Sequence, residues 1–129
     1  MKITRFEDIE GWKKARLLTQ QIYQVSGAGP FRRDYGLRDQ VRRASVSIMS
    51  NIAEGFERDG NKEFTQFLSI AKGSAGEVKS HFYVALDAGF IDQSQFADLY
   101  RQADETGKLI GGFMRYLHQS DFRGHKLGN

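Results

Sequence analysis

Residues 93–119 read QSQFADLYRQADETGKLIGGFMRYLHQ, and the apolar side chains in this stretch recur with a fixed rhythm. Phe96, Leu99, Ala103, Thr106, Ile110, Phe113 and Leu117 follow one another at steps of 3-4-3-4-3-4, and Thr106 alone interrupts the apolar run. Such a repeat holds one stripe of a helix against a partner over its whole length, which is the seam of a helical bundle. Working backwards along the chain, the same period returns three times. Residues 62–88 carry Phe64, Leu68, Ala71, Ala75, Val78, Phe82 and Ala85; residues 35–56 carry Leu37, Val41, Ala44, Ile48 and Ile52; residues 9–25 carry Ile9, Trp12, Ala15, Leu18, Ile22 and Val25. Between them lie the breaks Ser26-Gly27-Ala28-Gly29-Pro30, Arg58-Asp59-Gly60-Asn61 and Gly89-Phe90-Ile91-Asp92. Asp8, Asp34 and Asn61 are the expected caps of the first three helices, and Gly55 the expected end of the second. No window alternates with period two, so no strand is expected. Short links between long helices favour antiparallel neighbours. The expected fold is all-α, an antiparallel up-down-up-down four-helix bundle: one domain over residues 1–120, with a frayed tail over residues 121–129 that lacks an apolar face.

Length and composition agree with a single domain and remove several functional classes. A chain of 129 residues and 14.7 kDa buries enough surface for a core of its own. It has no cysteine, which excludes a disulfide framework, a thiol nucleophile and any Cys-based zinc or iron–sulfur site. The opening Met1-Lys2-Ile3-Thr4-Arg5-Phe6-Glu7-Asp8 has no apolar signal-peptide region, and no charge-free stretch reaches the ~18–20 residues of a membrane span. The expected setting is therefore cytoplasmic, with no membrane contact.

The formal net charge is +3, and its excess lies in the first half of the chain: residues 1–60 carry 11 basic and 8 acidic side chains, residues 61–129 carry 8 of each. Arg32, Arg33, Arg38, Arg42 and Arg43 crowd into one segment against Asp34 and Asp39. Arginine presents a fork that matches phosphate or carboxylate, so this segment reads either as a surface for an anionic partner or as a solvated face with local Arg–Asp pairs.

The second helix also carries a polar stripe, Gln40, Arg43, Ser47, Asn51 and Glu54, beside its apolar one, and the third offers Ser74, Glu77 and His81 in the equivalent place. If the two stripes meet, Arg42 and Arg43 can pair with Glu54 or Glu77 in an ionic layer that fixes register or subunit contacts; a ligand role is the other reading. Gly73, Gly76, Gly107, Gly111 and Gly112 interrupt the third and fourth helices, either for close approach of another helix or as tolerated defects.

Enzyme chemistry finds no support. A di-iron bundle needs Glu-x-x-His on two helices, but Glu77 and His81 are four apart, and His118 has no Glu at the required distance. A helical ribonuclease needs an Arg followed four to six residues later by His, whereas Arg115–His118 and Arg123–His125 are closer. No phosphate-binding glycine loop, serine elbow or zincin helix occurs. No metal and no cofactor are expected.

The run from Gln40 through Arg42, Arg43, Ala44, Ser45, Ser47, Ile48, Asn51, Ile52 and Glu54 to Gly55 resembles the signature of the four-helix-bundle proteins encoded in 23S rRNA intervening sequences. Phe6 with Trp12-Lys13-Lys14-Ala15, Tyr35-Gly36-Leu37, and Phe64, Phe67-Leu68, Ala71, Gly73-Ser74 and Glu77 resemble further marks of that family, in order over about residues 6–117. Gly27-Ala28-Gly29 before Pro30 departs from it. The resemblance implies a bundle that assembles as a homopentamer, and a relation to accessory proteins of diversity-generating retroelements, which bind a reverse transcriptase and nucleic acid. It marks Arg42, Arg43, Asn51, Glu54 and Glu77 as functional or assembly residues. The expected function is thus a non-enzymatic homo-oligomer that binds RNA or another nucleic acid through the Arg-rich segment. The alternative is a scaffolding or accessory subunit whose arginines serve assembly with a partner protein.

Overall fold

The computed structural model describes residues 2–119, so the tail expected over residues 121–129 lies outside the described residues. Four helices account for most of the chain: α1 (Glu10–Ser26), α2 (Tyr35–Glu57), α3 (Asn61–Asp87) and α4 (Gln93–Gln119). Single 3-10 turns at Phe6–Asp8 and Gly29–Arg33 precede α1 and α2. No strand occurs among the described residues. Each helix packs on its two neighbours in a ring, α1–α2–α3–α4–α1. All four pairs run antiparallel, as the cross-helix contacts show. Thr19 and Tyr23 meet Ser45 and Arg42, Ser47 meets Ser74 while Gly55 meets Phe67, Lys79 meets Asp104 while Asn61 meets Leu117, and Lys14 and Gln21 meet Glu105 and Gln102.

The apolar stripes meet along the axis. Phe64, Leu68, Ile22, Ile48, Ile52, Val78 and Ile110 are fully enclosed, and each such side chain is worth roughly 1.5–3 kcal/mol relative to exposure. Thr106 sits in this core without penalty because its hydroxyl donates to the Gln102 carbonyl at 2.7 Å. The first helix departs from expectation. Its buried line is Gly11, Ala15, Leu18, Ile22 and Ser26, one position off Trp12 and Val25 at the two ends, which are only partly buried. Ser26 tolerates burial because its hydroxyl bonds the Ile22 carbonyl at 2.6 Å. Gly11 admits α4, since a Cβ there would stand 3.2 Å from Ile110 Cγ1.

Helix ends correct three expectations. Asp34 caps α2 as expected, accepting from the Leu37 amide at 3.0 Å. Asp8 caps the turn before α1 instead of α1 itself: its carboxylate takes the amides of Thr4 and Arg5, and Ile9 is the N-cap. Asn61 is already inside α3, whose N-cap is Gly60 at φ +86°, and its side-chain amide donates to Leu117 of α4. Gly55 does not end α2, which continues to Glu57; it is buried where α3 crosses, and a Cβ would lie 2.8 Å from Phe67 Cβ. The α3–α4 turn is more ordered than a glycine break requires. Gly89 at φ +77° closes a Schellman motif through Phe90 N to Ala85 O and Gly89 N to Leu86 O. Asp92 and Gln95 then exchange bonds in a capping box that starts α4.

Candidate nucleic-acid interface and polar face

The Arg-rich segment begins in the 3-10 turn Gly29–Arg33. Phe31 pins that turn, being 2% exposed and stacked on Phe90 with ring centroids 5.3 Å apart. Arg32 and Arg33 therefore project into solvent from an anchored backbone. Among the described residues, neither side chain has an ion pair or hydrogen bond, and Arg43 on the first half of α2 is equally exposed and unpaired.

The other two arginines are engaged. Arg38 bonds the Asp39 carboxylate at 3.0 Å and the Arg32 carbonyl at 3.2 Å, with its guanidinium 4.9 Å from the Tyr35 ring centre. Arg42 is a strut between helices: Nε donates to Ser26 Oγ at 2.8 Å, Nη2 to the Tyr23 carbonyl at 3.3 Å, and the guanidinium stands 4.5 Å from the Tyr23 ring centre. It thereby brings a cation to the carbonyl end of α1, where the helix dipole favours it. Of five arginines, three are left to meet a ligand.

The polar stripes come together only at their centre. Ser47 and Ser74 share a hydrogen bond of 3.0 Å between α2 and α3, and Asn51 donates to the Ser47 carbonyl at 2.9 Å and to its hydroxyl at 3.0 Å. The expected ionic layer of Arg42 or Arg43 with Glu54 or Glu77 does not form in the bundle. Arg42 turns to α1; Glu54 pairs at 2.6 Å with Arg58, one turn further on, which also reaches Glu63 at 3.1 Å. Glu54 thus takes its partner one turn away along the chain, and Arg42 takes its partners on α1. Gln40 and Glu77 are exposed. His81 is enclosed instead, its side chain 12% exposed, with Nε2 4.0 Å from Glu77 and no hydrogen-bond partner for Nδ1 among the described residues. Burial pushes its pKa below the ordinary value, against the smaller opposing pull of Glu77. No third His, Asp or Glu among the described residues joins this pair in a metal-sized cluster.

Charge counting passed over a second cationic region. Lys72 and Lys79 on α3 are seven residues apart, as are Lys108 and Arg115 on α4, and all four line one groove between these helices. Among the described residues Asp104 is the only carboxylate in that lining; it holds Lys79 and Lys108 at 3.1 Å each, and their hydrogen bonds, Lys108 first, lower its pKa. The signal in the sequence was the matched seven-residue spacing, two turns on one face.

A family model described as 23S rRNA-intervening sequence protein matches residues 7–112. Among solved structures, the fold is similar to that of a protein of unknown function from the S23 ribosomal protein family of Bacteroides thetaiotaomicron. The TM-score is 0.75 at 19% identity, covering 81% of this chain and 95% of that one. No curated protein matches. No described helix is long and apolar enough to cross a membrane.

Proposed function

We propose, from the premise that the chain belongs to the 23S rRNA-intervening sequence protein family, that it is a non-enzymatic, homo-oligomeric, cytoplasmic protein that binds RNA through Arg32, Arg33 and Arg43. The observation that carries this reading is the exposure of these three arginines, without counter-ions among the described residues, beside a turn that buried Phe31 holds in place. A single chain of net charge +3 attracts a polyanion weakly. Symmetry repeats the arginine patch in every subunit of an oligomer, and phosphate contacts add through counterion release. Among the described residues only Tyr35 and Tyr23 offer exposed rings nearby, and Arg38 covers a face of the first and Arg42 a face of the second, so the surface reads backbone charge and not bases.

Binding of structured RNA should weaken by orders of magnitude between about 50 and 200 mM salt if some six or more phosphates are neutralised across the oligomer. The triple change Arg32→Gln, Arg33→Gln and Arg43→Gln should lower both affinity and salt slope while leaving the helical spectrum and the mass by light scattering unchanged. A wild-type protein that binds no RNA at about 50 mM salt would refute the reading, and a monomeric mass would remove its oligomeric part. The second reading, a subunit that docks on a partner protein, is favoured by Ile70 and Val84, both about half exposed on α3.

A further inference from the structure

The groove between α3 and α4 has a volume of about 520 Å³ and, among the described residues, carries four cations against one carboxylate. Asp104 is already shared by Lys79 and Lys108. Lys72 and Arg115 have neither an ion pair nor a hydrogen bond among the described residues, yet both lean over the same glycine from opposite helices. Lys72 Nζ stands 3.9 Å, and Arg115 Nη1 3.7 Å, from the point a Cβ on Gly111 would occupy. Two like charges held over one residue raise the energy of the empty site, and an anion between them lowers it.

The floor adds an independent observation. A Cβ on Gly73 or Gly76 would meet nothing within 4 Å, and one on Gly107 only Ala75 at 3.8 Å. Helix packing within the bundle therefore gives no reason for glycine at these positions, although glycine weakens a helix interior. Their bareness leaves room above the backbone, in the place where the cations converge.

We infer that this groove binds a chain of phosphate groups, with Lys72 and Arg115 clasping one phosphate over Gly111 and the Lys79–Lys108 end receiving another. The antiparallel register sets two cationic pairs about 10 Å apart along the helices, which suits a ligand with more than one phosphate. An arginine fork beside a lysine point charge is a donor set for phosphoryl oxygens. The ligand chemistry is shared by inorganic polyphosphate and by the backbone of a single nucleic-acid strand. This inference is independent of the arginine surface before α2.

The test is an NMR titration of the full chain, at about 50 mM salt, with inorganic tripolyphosphate and separately with an unstructured oligonucleotide of about ten nucleotides. Either ligand should shift the amides of Gly73, Gly76, Gly107 and Gly111 in a saturable way, and the ligand that does so identifies the source. The double variant Lys72→Gln with Arg115→Gln should lose affinity by ten- to a hundred-fold, the loss of one or two charge-assisted bonds. The charge-matched control Lys13→Gln with Lys62→Gln should keep it. The inference is overturned if neither ligand moves these amides, if both double variants bind alike, or if the same amides shift with protein concentration alone, which would place a second copy of the chain in the groove.

Discussion

The two cationic regions differ in how their charge is arranged. Before α2 and along its first half, five arginines lie within twelve residues of chain, and their local surroundings absorb two of them: Arg38 by Asp39 and Tyr35, Arg42 by Ser26 and Tyr23. In the α3–α4 groove the cations come from two helices, and Lys72 and Arg115, more than forty residues apart in the chain, meet over Gly111 only because the helices are antiparallel. Density of charge in sequence is thus a poor guide to available charge. Arg38 and Arg42 find carbonyls, a hydroxyl and rings at hand, whereas in the groove Lys79 and Lys108 share Asp104 and leave Lys72 and Arg115 without a counter-ion among the described residues.

The sharpest way to break this contrast is at Arg42. Arg42→Ala should cost about 1.5–3 kcal/mol in denaturant unfolding, since it removes a charged hydrogen bond to buried Ser26 together with the ring contact to Tyr23. Wild-type stability in that variant would return Arg42 to the ligand surface. The groove should respond with the opposite sign. Gly76→Ala meets no neighbour and should stabilise the protein by up to about 1 kcal/mol, read as a higher melting temperature; destabilisation would mean that something outside the bundle packs against that glycine. Arg33→Gln should be near neutral, within about 0.5 kcal/mol, because the side chain is exposed and unpaired among the described residues. A larger loss would show it to be a strut like Arg42.

Acid should act in two separate windows, the first through His81 and the second through Asp104 together with Asp8, whose carboxyl the Thr4 amide holds below its ordinary value. His81 has its folded-state pKa lowered by burial, so the unfolded chain binds the proton more readily. Its contribution is complete above about 6.5 and is lost as pH falls through the lower folded value; His81→Gln should flatten that part of a melting-temperature profile. Asp104 is lowered by Lys108 and then Lys79, so its contribution is present above about 3.8 and is lost as pH falls through the folded value. Asp104→Asn should reduce this second, solvent-screened loss and leave the part that Asp8 carries. A profile unchanged by either variant would mean that neither group senses folding.

The apolar period of 3.6 residues, the glycine and proline breaks and the shortness of the links determined the four helices and their antiparallel order, because each of these is written in neighbouring residues. The bounds of α4 and the cap at Asp34 follow from the same local chemistry. Gly55 and Asn61 show where local reading stops. As letters they look like a helix end and a helix cap, but α3 crossing at Phe67 and α4 presenting the Leu117 carbonyl give them other partners. The Arg-rich segment was legible as charge; which of its arginines stay free was decided by Ser26 and Tyr23 on another helix. Lys72 and Arg115 were visible as residues and became a pair only through packing, since the distance between two side chains on different helices depends on register and not on sequence separation.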